Sequence, residues 1–88
     1  MRQDQINPEE LTVIARAPFH IYYEGKAKSV TAVNVVGKFD ILPGHADFFS
    51  ILSAGDIVID TAAEPVNFTI NTGIITVRDN AVMLFVNM

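Results

Sequence analysis

Short runs in which apolar and polar residues alternate constrain the fold of this chain more than any other feature. Val82, Leu84 and Val86 mark the last of these runs. Because successive side chains of a β-strand point to opposite faces of a sheet, a period of two is typical of strands with one buried face. Only residues 46–52 form a candidate helix, of about two turns at most. The alternation therefore predicts an all-β protein.

Turn residues divide the chain into short segments. Gly25, Gly37 and Gly73 are each predicted to lie in a turn, because glycine reaches the backbone angles that tight turns need. Asp79-Asn80 suits a two-residue hairpin turn with positive φ. Residues 26–36 are predicted to form one long strand. About eight to ten short, mostly antiparallel strands result, and their regular spacing predicts a two-sheet β-sandwich.

The length allows a single domain, since the chain has 88 residues, half of them hydrophobic, and no cysteine. We expect residues 11–88 to form this domain and residues 1–10 to be a loose polar leader. The longest apolar run, residues 81–86, is far shorter than the roughly 20 residues of a membrane-spanning helix. The first residues lack the apolar core of a signal peptide. The sequence therefore predicts no direct membrane insertion.

Charge argues against nucleic acid as a partner. The net charge is −4, and the six basic residues are scattered rather than gathered into a stripe that neutralises phosphates. The aromatic residues lack basic neighbours, so we predict that they belong to the core rather than to a base-stacking surface. These residues are Phe19, Tyr23, Phe39, Phe48, Phe49, Phe68 and Phe85. The expected partner is another protein.

Patterns for catalysis or metal binding are weak. His20 and His45 lie far apart in the sequence, although Asp40 and Asp47 flank His45 and could complete a metal site with it. His45 and Ser50 could form a nucleophile–base pair, but no nucleophile-elbow pattern accompanies them. No glycine-rich loop leads into a helix, as phosphate binding would require. We therefore expect no catalytic residue, no metal and no cofactor.

Residues 39–46 are unusual for a plain sandwich. Pro43-Gly44 fits the central positions of a type II turn, where proline presets φ and glycine accepts a positive φ. This turn would expose His45. Just before the segment, Val33, Val35 and Val36 lie in a predicted turn region, and exposed valines in a loop are unusual unless something covers them. The pattern favours a protein contact over a catalytic site.

The same segment resembles a known family. Residues 39–46, F-D-I-L-P-G-H-A, are similar to the F-G-I-L-P-G-H-A signature of the epsilon subunit of F-type ATP synthases, called delta in mitochondria. Residues 24–31, 54–59 and 73–82 follow the family pattern in the same order. The resemblance runs from residue 11 to residue 86. The chain thus resembles the amino-terminal β-sandwich domain of that subunit.

The resemblance implies a non-catalytic subunit in the central stalk of a rotary, proton-translocating ATP synthase. The sandwich would link the gamma subunit to the polar loops of the c-ring, in the cytoplasm and peripheral to the inner face of an energy-transducing membrane. By position, His45 and Ser50 would lie toward gamma, and residues 36–38 would lie toward the c-ring. The predicted partner interface comprises Val35, Val36, Gly37, Lys38, His45 and Ser50.

Departures from the family pattern leave alternatives open. Asp40 and Asp47 replace a glycine and a proline, and residues 33–36 are more apolar than the usual loop. The family's carboxy-terminal helical hairpin has no counterpart before Met88, so its inhibitory function and ATP site are not expected. The alternative is a stand-alone epsilon-like interaction module that no longer serves a motor. A third hypothesis is a binder or hydrolase that uses His45 with the flanking aspartates.

Overall fold

The computed structural model describes residues 10–88, which form nine strands and contain no helix. The all-β prediction is therefore confirmed. Of the predicted leader over residues 1–10, all but Glu10 lies outside the described residues, so the leader stays a prediction. The strands are β1 (Leu11–Ala17), β2 (His20–Ala27), β3 (Ser29–Asn34), β4 (Gly37–Ile41), β5 (Phe48–Leu52), β6 (Gly55–Asp60), β7 (Val66–Ile70), β8 (Thr72–Arg78) and β9 (Ala81–Asn87).

The strands form two sheets that enclose one core. The five-stranded sheet has the order β2-β1-β9-β8-β5, and the four-stranded sheet has the order β4-β3-β6-β7. Among the described strands every pairing is antiparallel except that of β9 with β1, which is parallel. The predicted two-sheet, mostly antiparallel sandwich is confirmed.

The core is built from every second residue of the strands, as the alternation predicts. Aliphatic side chains of both sheets form one continuous buried cluster. Removal of their apolar surface from water is the main force that holds the sheets together. In β8 and β9 the buried side chains are Ile75, Val77, Val82, Leu84 and Val86.

The turn between β8 and β9 forms as predicted. Asp79 and Asn80 have φ of 50° and 64°, and Arg78 pairs with Ala81 across the turn. Positive φ at both central positions matches the twist of a hairpin, and Asp and Asn tolerate it better than most residues. The turn also places the Asn80 side chain, whose Oδ1 accepts a hydrogen bond from Gly44 N at 2.8 Å.

The predicted helix over residues 46–52 is wrong. Phe48–Leu52 forms β5, which pairs in register with residues 73–77 of β8. Two of its residues are phenylalanine and one is isoleucine, which are enriched in strands. A helix this short is unstable alone, whereas the edge of β8 offers a ladder of backbone hydrogen bonds. Tertiary pairing therefore selects the strand.

Residues 26–36 form two strands rather than the one long strand predicted. The chain leaves the five-stranded sheet at Lys28, whose N–H donates to the carbonyl of Asp60 at 2.6 Å. It then continues as β3 of the four-stranded sheet. A change of sheet is set by long-range pairing, so the local pattern of valines did not indicate it.

Two of the glycines predicted to lie in turns lie inside strands instead. Gly25 pairs with Val13 within β2, and Gly73 pairs with Val86 within β8. A Cβ at Gly73 would lie 2.7 Å from the carbonyl oxygen of Phe85, closer than real Cβ atoms approach. Close approach of neighbouring backbone, rather than a turn, therefore explains the glycine at this position.

Three of the aromatic residues predicted to be in the core are exposed. Phe19 is 100% exposed in the β1–β2 turn, and Phe49 and Phe85 are 63% and 47% exposed on the outside of the five-stranded sheet. In β5 and β9 both alternating sets of side chains include apolar residues, so the sequence does not decide which set points inward. The other four pack, half-buried, against the core: Tyr23, Phe39, Phe48 and Phe68.

Candidate functional site

The β3–β4 hairpin ends in two exposed valines. Asn34 pairs with Gly37, which leaves Val35 and Val36 as the turn residues, 92% and 91% exposed. We call these two residues the apolar tip. Asparagine at the first position and glycine at the fourth are typical of a type I turn, and Gly37 takes a positive φ of 139°. The predicted turn and exposure are confirmed for Val35 and Val36, but Val33 lies half-buried in β3 because it pairs with Lys38 of β4. The role of the valines in binding stays a prediction.

The side chain of Asn34 closes this turn. Its Oδ1 accepts hydrogen bonds from the N–H groups of Val36 at 2.9 Å and Gly37 at 3.2 Å. Its Nδ2 donates to Ser50 Oγ in β5 at 3.1 Å. Ser50 is thereby brought against the hairpin that carries the apolar tip. The sequence prediction did not include Asn34, although the Asn-x-x-Gly spacing was its signal.

Gly37 and Lys38 begin β4 directly after the apolar tip. Lys38 is exposed and lies opposite Val33 in the β3–β4 register. The four consecutive residues of the predicted interface, Val35 to Lys38, therefore form one continuous surface at the end of this hairpin. That surface combines two apolar side chains with one positive charge.

The turn after β4 has the predicted geometry. His45 N–H donates to the carbonyl of Leu42 at 3.1 Å, and Gly44 has a φ of 87°. This bond and this positive φ are those of a type II turn. Because Gly44 N–H is also bound by Asn80 Oδ1, the turn is fixed to the β8–β9 hairpin.

His45 is exposed beside this turn. Its Nδ1 lies 2.8 Å from the carbonyl oxygen of Ala46, and its ring meets the Phe48 ring edge-on at 5.5 Å between centroids. The length of β4, about 17 Å for five residues, separates His45 from the apolar tip. The predicted interface residues therefore fall at opposite ends of β4.

The surroundings of His45 offer hydrogen bonds and an aromatic contact rather than a reactive pair. Ser50 hydrogen-bonds to Asn34 and to the carbonyl of Ile51, not to His45. Within residues 10–88, no group of three or more His, Cys, Asp or Glu side chains could hold a metal ion. The same part of the chain has no helix that is both long and apolar enough to cross a membrane.

The outer face of the five-stranded sheet carries large apolar side chains that the described residues leave exposed. Cross-strand pairing sets Phe85 beside Ile74 and Ile74 beside Ile51 in one row, and Met83 and Phe49 lie in the next row on either side of Thr76. These side chains are between 38% and 67% exposed. Contiguous apolar patches of this kind mark contact surfaces. We define the apolar face as Phe49, Ile51, Ile74, Met83 and Phe85.

A groove of about 540 Å³ runs along the apolar face. Ile51, Ile74 and Phe85 line it, together with Arg16 and Pro18. The guanidinium of Arg16 donates to the carbonyl of Pro18 at 3.1 Å, which holds it against the β1–β2 turn. Thr72 and Asn87 also line the groove, which is therefore mainly apolar with one charged and two polar residues among its walls. Such a groove suits apolar side chains of a partner.

The sequence prediction did not include the apolar face. It assigned Phe49 and Phe85 to the core and did not single out Ile51 or Ile74. A signal was present in residues 81–86, because a continuous apolar run is typical of a strand covered on both sides. Here one side of that strand is covered by the core and the other is exposed.

The outer face of the four-stranded sheet is polar instead. Thr31 donates to Asp40 Oδ1 at 2.5 Å, and Thr69 donates to Asp56 Oδ1 at 2.7 Å. Both bonds join residues that are direct cross-strand partners. We call Thr31, Asp40, Asp56 and Thr69 the polar face. It has the composition of a sheet surface that faces water.

Comparison with known proteins agrees with this architecture. The family model for the β-sandwich domain of the ATP synthase delta/epsilon chain matches residues 10–88. The ATP synthase epsilon chain of Geobacter sulfurreducens is 30% identical over 78 residues, which cover 89% of this chain and 56% of that one. The epsilon chain of Helicobacter pylori is 37% identical over 60 residues, 68% of this chain and 49% of that one. The chain spans about half the length of these relatives.

Solved structures share the fold. A chain of the Euglena gracilis mitochondrial ATP synthase aligns with a TM-score of 0.86 at 16% identity, over 98% of this chain and 56% of that one. A chain from the central stalk and c-ring structure of the Tetrahymena thermophila mitochondrial ATP synthase aligns with a TM-score of 0.80 at 19% identity, over 94% and 67%. Since the family match covers every described residue, the chain belongs to the β-sandwich domain family of the ATP synthase delta/epsilon chain.

Proposed function

We propose that this chain acts as a non-catalytic central-stalk component of a rotary, proton-translocating ATP synthase, where it links the gamma subunit to the c-ring. Family membership and relatives named as epsilon chains support the proposal. One structure of similar fold comes from a central stalk and c-ring assembly. In that role the domain is cytoplasmic and peripheral to the inner face of the membrane, and it contributes contacts rather than chemistry.

The apolar face is the observation that carries the proposal. A sandwich needs only its inward side chains to fold, yet Phe49, Ile51 and Ile74 present large apolar surface on the outside. Burial of such surface against a partner stabilises a complex, and aromatic side chains are enriched at the centres of interfaces. We therefore assign the gamma subunit to the apolar face. Ser50 lies in β5 between Phe49 and Ile51, but its side chain points to the other side of the strand and accepts a hydrogen bond from Asn34 beside the apolar tip.

The apolar tip and Lys38 form the second contact surface, which we assign to the polar loops of the c-ring. Val35 and Val36 extend beyond the sheet, where they can reach a partner that the apolar face does not touch. His45 lies at the other end of β4, which favours a different partner for it. This separation supports different partners for His45 and for residues 36–38, whereas Ser50 lies beside the apolar tip.

The first test is complex formation with a cognate gamma subunit. Size-exclusion chromatography of the two purified proteins at micromolar concentrations is expected to give one co-eluting peak. Separate elution under these conditions would contradict the stalk role.

A second experiment tests the assignment of residues. Lys38→Glu is expected to weaken binding to purified c-ring while co-elution with gamma persists, and His45→Ala is expected to weaken binding to gamma only. If both variants assemble like the unaltered chain, the assignment of these two residues is wrong.

The exposed apolar face also supports a second candidate function, a stand-alone module that self-associates. Light scattering of the chain without gamma separates the two functions. A monomer that binds gamma supports the stalk role. A stable dimer that ignores gamma supports the stand-alone module.

A further inference from the structure

A series of hydrogen bonds connects the apolar tip to the strand that carries part of the apolar face. The N–H groups of Val36 and Gly37 donate to Asn34 Oδ1. Asn34 Nδ2 donates to Ser50 Oγ, whose own proton is directed to the carbonyl of Ile51 at 3.2 Å. Each donor meets an acceptor, so all of these bonds can exist at the same time.

Asn34 supplies side-chain hydrogen bonds that help to close the apolar tip. Tight turns are usually built from Gly, Pro, Asn, Asp and Ser, each of which favours the turn locally. Val35 and Val36 are β-branched residues suited to strands, and both are almost fully exposed. The asparagine side chain therefore supplies the local bonds that the two valines cannot provide.

The two sheets are tied together at the same end of the sandwich. Ser53 N–H in the connection after β5 donates to the carbonyl of Val33 at 2.9 Å. Val33 is also held within its own four-stranded sheet, since a Cβ at Gly55 would lie 3.1 Å from Val33 Cγ2 and the start of β6 packs tightly against the end of β3. The Asn34–Ser50 bond adds a side-chain connection between the four-stranded and five-stranded sheets beside these contacts.

We propose that Asn34 is a positioning residue that fixes the apolar tip and, through Ser50, ties it to β5. The names of the partners rest on the proposed function, in which the tip contacts the c-ring and the apolar face contacts gamma. A domain that joins two moving partners must resist shear between its two contact surfaces. The bonds from the tip through Asn34 and Ser50 to the backbone of Ile51 provide a direct connection between those surfaces.

Amide hydrogen exchange of the chain alone tests the first half of the proposal. Asn34→Ala is expected to speed exchange of the Val36 amide about fivefold, the factor that one ordinary hydrogen bond contributes. Asn34→Asp, which keeps an oxygen at the same place, is expected to leave the rate within about twofold of the original.

The matched control is Thr31→Val, which removes another cross-strand side-chain bond from the same hairpin, that to Asp40. This variant is expected to leave the Val36 amide unchanged. Unchanged exchange of the Val36 amide in Asn34→Ala, or equal acceleration in Thr31→Val, would overturn the proposal.

The second part of the proposal is that Ser50 ties the apolar tip to β5. The affinity of the chain for purified c-ring tests it. Asn34→Ala is expected to weaken binding about tenfold and Ser50→Ala about threefold, because the tip is less ordered before it binds. Since Ser50 acts through Asn34, the double variant should bind no more weakly than Asn34→Ala alone. Ser50→Thr, which keeps the hydroxyl, should restore most of the affinity.

The two experiments separate failure of this proposal from failure of the proposed function. If the unaltered chain does not bind the c-ring, the assigned partner is wrong, and the exchange data still decide whether Asn34 fixes the tip. If the unaltered chain binds and the losses from Asn34→Ala and Ser50→Ala simply add, the tie through Ser50 is wrong.

Discussion

The two outer faces of this sandwich differ although the strands beneath them bury the same kinds of side chain. On the five-stranded sheet the outward residues include Phe49, Ile51, Ile74, Met83 and Phe85. On the four-stranded sheet they include two Thr–Asp pairs that hydrogen-bond across strands. Both sheets already meet the demands of folding through their inward residues. In the proposed function the apolar face contacts a partner protein, and the polar face contacts water.

Substitution of two neighbours in β8 separates folding from binding on the apolar side. Ile75 is fully buried, so Ile75→Ala is expected to lower the free energy of unfolding by about 3 kcal/mol through lost packing and a cavity. Ile74 is 40% exposed, so Ile74→Ala is expected to lower it by less than about 1 kcal/mol. Urea unfolding of both variants measures the difference. Similar losses for both would mean that Ile74 serves the fold and not a contact surface.

A charge on the apolar face is the next largest expected effect. Ile74→Asp places a carboxylate among Phe85 and Ile51, and its desolvation on binding should weaken the complex with gamma about 100-fold, or about 2.7 kcal/mol. Titration calorimetry with purified gamma measures the affinity.

The matched variant on the other side is Thr69→Asp on the polar face, which should bind gamma as the unaltered chain does. Equal weakening by the two substitutions would remove the distinction between the faces.

Substitution in the apolar tip is expected to have an effect of intermediate size. Val36→Ser shortens an exposed apolar side chain and should weaken c-ring binding about fivefold, or about 1 kcal/mol. The free energy of unfolding should change by less than about 0.5 kcal/mol, because Val36 has almost no contacts to lose. Pull-down of purified c-ring at graded concentrations gives the first quantity. Ala62→Ser, in the exposed β6–β7 connection, is the control that should change neither.

The smallest effect is expected on the polar face. Asp56→Ala removes the partner of Thr69 Oγ1 at an exposed position, so the free energy of unfolding should fall by less than about 0.5 kcal/mol. Binding to gamma should remain unchanged. A loss of gamma binding in this variant would indicate that gamma contacts the four-stranded sheet, which contradicts the assignment to the apolar face.

The sequence predicted the fold correctly where the local preference of a segment agrees with its long-range strand pairing. Alternation placed Ile75 and Leu84 in the core, and Asp79-Asn80 and Pro43-Gly44 formed the turns that their backbone preferences favour. Phe48–Leu52 was misjudged as part of a helix because its strand depends on an edge of β8 that is distant in sequence. The local composition of residues 46–52 does not indicate that this strand edge is available.

The candidate site was only partly predictable for a related reason. Val35 and Val36 were recognisable because two valines before a glycine are unusual in a turn. The apolar face was not, since Phe49 and Phe85 alternate with residues that are equally apolar. The register places Ile74 on the same side as Phe85 and Ile51. Only the packing of the second sheet, which buries Ile75 and Leu84, leaves that side exposed.

Amide and methyl NMR of the labelled chain, recorded with and without gamma, shows directly which outer face binds gamma. Shift changes are expected to be concentrated at Phe49, Ile51, Ile74, Met83 and Phe85, with the polar face unaffected. Shift changes centred on Asp40, Asp56 and Thr69, or none at saturating gamma, would contradict binding through the apolar face.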